Sequence, residues 1–207
     1  MQTDLFEHGP RVLADDPGGT ITYLPDAIDV ATATRWYEGL RAKVEWRSER
    51  RWMYDREVDV PRLVAGFRFG DPGVPEELRQ AREVAVAATG VEFNSVGMNL
   101  YRDGRDSVAP HNDHLNEIID GFPIALLSLG AARVMTIRSK SKPRRNLDLE
   151  LEPGSLLVMS YRTQFNYDHG IPKTAAQVGG RISLAFRVRP AGLTRVEKAR
   201  AQPLPDG

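Results

Sequence analysis

Three side chains of this sequence, His111, Asp113 and His169, could bind one metal ion. His111 and Asp113 are two positions apart, so both side chains lie on one side of an extended segment. Two imidazoles and one carboxylate can occupy three adjacent positions around iron and leave the others open, which is the ligand set of non-haem Fe(II) oxygenases. The same donors also suit Mn(II) and Zn(II). A His-x-Asp pair arises easily by chance, and His169 taken alone has the sequence surroundings of a polar turn residue.

The stretch Arg181-Ile-Ser-Leu-Ala-Phe-Arg187 has a strand pattern with an arginine at each end. Side chains alternate between the two faces of a strand, so Arg181, Ser183 and Arg187 share one face and the other face is apolar. The arginines could hold an acidic co-substrate, although roughly 20 Å of strand separates them. The alternative is a solvated polar face on an edge strand, and the strand taken alone favours that alternative.

Asn99 and Tyr101 share one face of the strand that precedes His111, while Met98 and Leu100 share the other face. An amide and a phenol on a polar interior face can form hydrogen bonds with a carboxylate. The alternative is a half-exposed strand, which is common in sheets.

Composition limits the class of protein. The chain has 207 residues, a net charge of zero and no cysteine, which excludes disulfides and thiolate metal sites. Zero net charge gives no general argument for nucleic-acid binding, although a local basic patch could still serve. The sequence has no apolar run that could cross a bilayer and no signal-peptide pattern at its start. We therefore expect a cytoplasmic, monomeric protein that does not bind membranes.

The order of elements predicts an α+β chain. Residues 31–45 are expected to be helical, and a second helix is expected to begin at Pro75, with Gly90 as its stop. The first thirty residues are expected to be loops with one short strand at residues 20–24. Short strands separated by turns follow, which favours a β-sandwich or jelly roll. They are expected at residues 93–101, 123–129, 134–138, 147–151, 155–160 and 181–189.

These motifs, in this order, resemble the AlkB family of Fe(II)/2-oxoglutarate dioxygenases. The resemblance covers roughly residues 58–189, and each motif is weak singly while their order and spacing are specific. The matching sequences are Val60-Pro-Arg62, Phe69-Gly-Asp71, Phe93-Asn94, Asn99-Leu-Tyr-Arg-Asp-Gly104, His111-Asn-Asp113, Pro123-Ile-Ala-Leu-Leu-Ser-Leu-Gly-Ala131, Pro153-Gly-Ser-Leu-Leu-Val-Met159, His169-Gly-Ile-Pro172 and Arg181-Ile-Ser-Leu-Ala-Phe-Arg187.

The resemblance implies a double-stranded β-helix, which is a jelly roll, with N-terminal helices packed on it. It implies a loop and helix extension over residues 1–57, a dioxygenase domain over 58–190 and a tail over 191–207. Fe(II), 2-oxoglutarate and O2 are the implied cofactor and co-substrates. The implied metal ligands, which are also the catalytic residues, are His111, Asp113 and His169. The implied 2-oxoglutarate residues are Asn99, Tyr101, Arg181, Ser183 and Arg187.

The leading hypothesis is oxidative demethylation of alkylated nucleobases in DNA or RNA, with release of formaldehyde. Three departures from the family pattern concern the substrate: Leu115 replaces an acid, residues 70–75 shorten the substrate lid, and Ser183 replaces an asparagine. Two alternatives follow, namely hydroxylation of a small molecule or protein side chain, and a metal-binding sensor module without turnover. A basic cluster could contact phosphates or could be a solvated loop. It comprises Arg133, Arg138, Lys140, Lys142, Arg144 and Arg145.

Overall fold

The computed structural model describes residues 9–53, 56–113 and 115–191, with side chains left out at 49–53, 56–59 and 116. Its helices are α1 (Val30–Lys43), α2 (Glu76–Thr89) and the short α3 (Thr163–Asn166), and a 3-10 turn spans Leu115–Glu117. The strands are β1 (Arg11–Asp16), β2 (Gly19–Leu24), β3 (Arg47–Met53), β4 (Arg56–Arg68), β5 (Ser95–Tyr101), β6 (Val108–His111), β7 (Ile124–Gly130), β8 (Arg133–Ser139), β9 (Asn146–Leu151), β10 (Leu156–Met159), β11 (Tyr167–Ile171) and β12 (Arg181–Arg187).

The strands form two antiparallel sheets that face each other. The larger sheet has the order β1-β2-β10-β7-β12-β5-β4-β3, and the smaller one has the order β6-β11-β8-β9. Strands that follow one another in the chain alternate between the sheets at several points, so the chain winds a double-stranded β-helix. The predicted jelly roll is confirmed.

Helices α1 and α2 cover the outer face of the larger sheet, as predicted. Asp29 caps α1 by accepting a 2.8 Å hydrogen bond from the Thr32 N–H. Gly90 ends α2 with a φ of 70°, a left-handed conformation that glycine adopts without strain. Beneath the helices lie the fully buried Ile182, Leu184 and Phe186 of β12. Each such side chain contributes about 1.5–3 kcal/mol of hydrophobic stabilisation.

A second core fills the space between the two sheets. It includes Ile21 and Tyr101 from the larger sheet and Met135, Ile137 and Ile171 from the smaller one. The polar residues of β12 and β5 point into this same space, because their apolar neighbours face the helices. The fold therefore separates an apolar helix-covered face from an inner face that carries the candidate chemistry.

The first 57 residues contribute more sheet than the sequence predicted. Strands β1, β2 and β3 all belong to the larger sheet, where one short strand was expected. The strands β6 and β11 were also missed, and β4 fills a stretch that carried no strand prediction. The division of the chain at residues 58 and 190 stays a prediction, and residues 192–207 of the expected tail lie outside the described residues. No helix in the described ranges has the length and apolar character needed to cross a membrane.

Candidate active site

The smaller sheet brings the two predicted histidine ligands together, and the segment after β6 adds Asp113. His111 ends β6 and pairs directly with His169 on the neighbouring strand β11. Their ring centroids are 4.6 Å apart. One ligand atom from each of His111, Asp113 and His169 lies within 4.8 Å of the other two. The expectation that His169 lies in a turn is wrong, since the residue is buried in the middle of a strand.

Asp113 is held from two sides. Its backbone N–H donates to Gln164 Oε1 at 3.0 Å, and Gln164 is a buried residue of α3. Its Oδ2 accepts two hydrogen bonds from Arg187, 2.7 Å from Nη2 and 3.0 Å from Nε. The pair is largely buried, with 13% of the Arg187 side chain and 11% of the Asp113 side chain exposed. Such support fixes the direction of a carboxylate ligand.

The hydrogen bonds and charges around the three residues suit metal binding. His111 Nδ1 lies 3.0 Å from the carbonyl oxygen of Ala109, which can only accept, so Nδ1 is the donor in this contact and Nε2 is the ring nitrogen left for a metal. Burial lowers the pKa of His169 to about 4, so this imidazole is neutral at pH 7. Burial is the largest single influence on Asp113 and acts to raise its pKa, but the charge and hydrogen bonds of Arg187 together with the two histidines leave that pKa below its ordinary value.

The predicted co-substrate residues lie on one inner face of the larger sheet. In the β12–β5 pairing Arg181 is opposite Tyr101 and Ser183 is opposite Asn99. Strand β12 lies between β7 and β5 in the interior of the sheet. The interpretation of Arg181 and Arg187 as a solvated face on an edge strand is therefore wrong, because the arginines point into the space between the sheets.

Arg181 is a buried cation with spare donors. It is 1% exposed, and its Nη2 donates to Ser128 Oγ at 3.0 Å. Among the described residues, neither its Nε nor its Nη1 has a hydrogen-bond partner. Burial lowers the pKa of Arg181, and the Tyr101 ring lies 5.4 Å from its Cζ. A buried guanidinium with open N–H groups is costly alone and is suited to a bidentate carboxylate ligand. The residues thus fit a dicarboxylate co-substrate.

A cavity of about 690 Å³ opens beside the triad. Arg62, Asn99, His111 and Asp113 line it, whereas Arg181, Tyr101 and Ser183 are buried deeper on the same inner face. Its wall also holds an ion pair in which Arg189 Nη2 lies 2.8 Å from Glu117 Oε2. The 3-10 turn thus gives the cavity an acid two residues beyond Leu115.

The basic cluster is divided by the fold. Arg133 is buried and donates to the carbonyl oxygens of Asp103, Asp106 and Pro172, so the prediction that it belongs to a phosphate-binding patch is wrong. The other members lie exposed on the β8–β9 hairpin. Lys140 of this hairpin donates to Asn112 Oδ1 and lies 3.3 Å from Asp168 Oδ1. Lys140 therefore contacts two residues, Asn112 and Asp168, that are sequence neighbours of the three predicted metal ligands.

Several supporting residues carried no usable sequence signal. Gln164 lies in a stretch that reads as a loop, and its contact with Asp113 depends on the packing of α3. Ser128 lies within an apolar strand and meets Arg181 only through the β7–β12 pairing. By sequence, Phe67, Phe69 and Trp52 could offer stacking surfaces to a base, but such aromatic residues are more often part of a core. Phe67 and Phe69 pack against the outer core, and the side chain of Trp52 lies outside the described residues.

The comparisons with known proteins agree with this site. Residues 68–187 match the model of the 2OG-Fe(II) oxygenase superfamily. The chain is 37% identical over 123 residues to the DNA oxidative demethylase ALKBH2 of Mus musculus, covering 56% of this chain and 51% of that one. It is 31% identical over 182 residues to the alpha-ketoglutarate-dependent dioxygenase alkB homolog 3 of Homo sapiens, covering 79% and 64%. The chain therefore belongs to the 2OG-Fe(II) oxygenase superfamily, and within it to the AlkB family.

Solved structures with low identity share the fold. A prolyl-4-hydroxylase of Pseudomonas putida matches with a TM-score of 0.56 at 16% identity, over 82% of this chain and 92% of that one. The structure of OsALKBH1 matches with a TM-score of 0.57 at 12% identity, over 86% of this chain and all of that one. The chain spans about half the length of the ALKBH2 proteins of Bos taurus, Mus musculus and Homo sapiens.

Proposed function

We propose that this protein is an Fe(II)- and 2-oxoglutarate-dependent dioxygenase that oxidatively demethylates alkylated nucleobases in DNA or RNA. The observation that carries the proposal is that two candidate sites face the same space between the two sheets. A two-histidine, one-carboxylate cluster lies at one end of β12, and a buried arginine with open donors lies at the other end.

In this proposal the residues near the two ends of β12 have separate tasks. His111, Asp113 and His169 bind the iron, with Arg187 and Gln164 holding Asp113 in place. Arg181 would pair with a carboxylate of 2-oxoglutarate. Tyr101, Asn99 and Ser183 offer further hydrogen bonds.

Bound iron, 2-oxoglutarate and dioxygen supply hydroxylation of a substrate C–H bond, with succinate and carbon dioxide as co-products. The protein orients the substrate carbon in the cavity and keeps water from the buried co-substrate residues. On an N-methyl group, the hydroxylated carbon leaves as formaldehyde and the nitrogen takes back a proton.

Two observations support a nucleic-acid substrate. Relatives at 37% and 31% identity are named as a DNA oxidative demethylase and as an alkB homologue. The exposed cations of the β8–β9 hairpin suit phosphates, which position a nucleic acid without reading its sequence. Glu117 provides an acid in the cavity wall in spite of Leu115. The expected cytoplasmic location, the monomeric state and the domain boundaries remain predictions.

Turnover on methylated oligonucleotides tests the proposal. With Fe(II), ascorbate and 2-oxoglutarate, single- or double-stranded DNA or RNA that carries an N-methylated base should yield formaldehyde and succinate in equal amounts. His111→Ala should yield neither above background. If the adducts persist while 2-oxoglutarate is consumed with a small molecule or a protein, the hydroxylase alternative is correct. If iron binds but no candidate substrate yields succinate, the sensor alternative is correct.

A further inference from the structure

Arg62 of β4 lines the cavity and contacts Asn99, one of the predicted co-substrate residues. Its Nε donates to Asn99 Oδ1 at 2.6 Å, and its half-buried side chain lines the cavity beside His111. Its Nη1 also approaches the carbonyl oxygen of Ser107 at 3.5 Å. The backbone N–H of Ser107 in turn donates to the Pro61 carbonyl at 2.8 Å. Arg62 is therefore attached to the segment that leads into β6.

The contact with Arg62 decides which end of the Asn99 amide is available. An asparagine side chain has an acceptor oxygen and a donor NH₂ group, and rotation by half a turn exchanges them. Arginine has donors alone, so it holds the amide oxygen and leaves the NH₂ group for another partner. Asn99 is opposite Ser183 on the inner face of the sheet.

A carboxylate needs donors around it. The amide orientation that Arg62 selects offers N–H groups, whereas the exchanged orientation would present an oxygen to a carboxylate and repel it. We propose that Arg62 is a positioning residue for 2-oxoglutarate, which acts by holding the Asn99 amide with its NH₂ group toward the co-substrate. This inference rests on the proposed function, because it takes 2-oxoglutarate as the ligand of this face.

Arg62 also lies close enough to Tyr101 for its charge to act on that phenol. Burial raises the pKa of the Tyr101 phenol, and the charges of Arg181, Arg62 and Arg133 act against that rise. Arg62 therefore belongs to the group of cations around the co-substrate face, although it lies on a different strand from Arg181. Its distinct contribution is its hydrogen bond to Asn99.

The test is the binding of 2-oxoglutarate to Mn(II)-loaded protein, titrated calorimetrically without turnover. Arg62→Met keeps the length of the side chain and removes its donors, and it should weaken 2-oxoglutarate binding about tenfold, the loss expected for one hydrogen bond to a charged group. Arg62→Lys, which keeps one donor group, should recover part of the loss. Mn(II) affinity without 2-oxoglutarate should not change.

A double-mutant cycle with Asn99→Ala distinguishes positioning from a general effect of charge. If Arg62 acts through Asn99, Arg62→Met should cause no further loss in the Asn99→Ala background. Arg68→Met is the matched control, because Arg68 lies on the same strand and donates to the Pro190 carbonyl at 3.1 Å. It should bind 2-oxoglutarate as the wild type does.

The possible results distinguish a failure of this inference from a failure of the proposed dioxygenase function. Wild-type 2-oxoglutarate affinity in Arg62→Met, or a tenfold loss that persists in the Asn99→Ala background, overturns the role of Arg62 and leaves the dioxygenase proposal intact. A wild-type protein that binds Mn(II) but no 2-oxoglutarate overturns both.

Discussion

At one end of β12 the guanidinium of Arg187 is paired with Asp113, whereas at the other end Arg181 keeps two N–H groups without a partner among the described residues. Both side chains are largely buried and both face the space between the sheets. The charge of Arg187 is balanced by the protein itself. Arg181 has no acidic partner among the hydrogen bonds and ion pairs of the described residues. We call the Arg187 end, with the predicted metal ligands, the metal end, and the Arg181 end the co-substrate end. In the proposed function the folded chain already pairs the arginine of the metal end, whereas the co-substrate end has donors left for an anionic ligand.

The largest effect is expected at the metal end. His169→Ala removes one of three ligands and should lower Mn(II) affinity at least about 100-fold, which is the upper range for loss of a residue that only supports a ligand. Turnover should disappear with it. Tyr167→Phe, on the same strand, should retain Mn(II) binding. Wild-type affinity in His169→Ala, measured by calorimetric titration, would show that the triad is not the metal site.

The next effect belongs to the co-substrate end. Arg181→Met removes two charge-assisted hydrogen bonds to a carboxylate and should raise the Kd of 2-oxoglutarate about 100-fold. Mn(II) binding in the absence of 2-oxoglutarate should stay at the wild-type level, because Arg181 does not contact the triad. Arg138→Met on the exposed hairpin serves as the control. A parallel loss of metal affinity would contradict the division of tasks between the two ends.

A smaller effect on metal binding is expected from Arg187→Met. The change leaves the Asp113 carboxylate without its cation, and Mn(II) affinity should fall about tenfold. The free energy of unfolding of the metal-free protein should fall by about 2 kcal/mol, less than for a completely buried pair because both side chains are slightly exposed. Urea titration measures this value. An unchanged midpoint would mean that the ion pair contributes nothing to the fold.

The smallest effect should have the opposite sign. Without ligands, Arg181→Met replaces an uncompensated buried cation by an apolar side chain of similar length, and the free energy of unfolding should rise by about 1 kcal/mol. With Mn(II) and saturating 2-oxoglutarate, the wild type should have the higher free energy of unfolding, because 2-oxoglutarate binds and stabilises the wild type and not the variant. Equal destabilisation of the metal-free protein by Arg181→Met and Arg187→Met would contradict the difference between the two arginines.

Much of the inner face could be predicted from the sequence. Side chains alternate between the two faces of β12 and β5. This alternation alone predicts that Asn99, Tyr101 and the arginines lie on the face opposite the apolar side chains. The burial of Arg181 could not be predicted, because a buried cation without a partner breaks the usual rule for interiors. Such a violation is typical of a functional site, where a ligand completes the structure.

The position of His169 shows a second limit. Tyr167-Asp-His-Gly-Ile171 combines an acid, a histidine and a glycine, which are weak strand formers, so the local pattern favoured a turn. The segment forms β11 because β6 and β8 supply hydrogen bonds on both sides. The role of Gln164 could not be predicted for a related reason, because it depends on a contact with Asp113, which is distant in sequence.

Strand β6 has four residues and lies at the edge of the smaller sheet, with His111 as its last residue. A short edge strand forms few backbone hydrogen bonds with its neighbour, which here is β11. A metal shared by His111 and His169 is a cross-link between the two strands, and it reduces the number of conformations open to this edge. A slip of β6 by one residue would turn His111 to the opposite face of the sheet and end metal binding. In the proposed site, the affinity for iron therefore depends on the alignment of this strand pair.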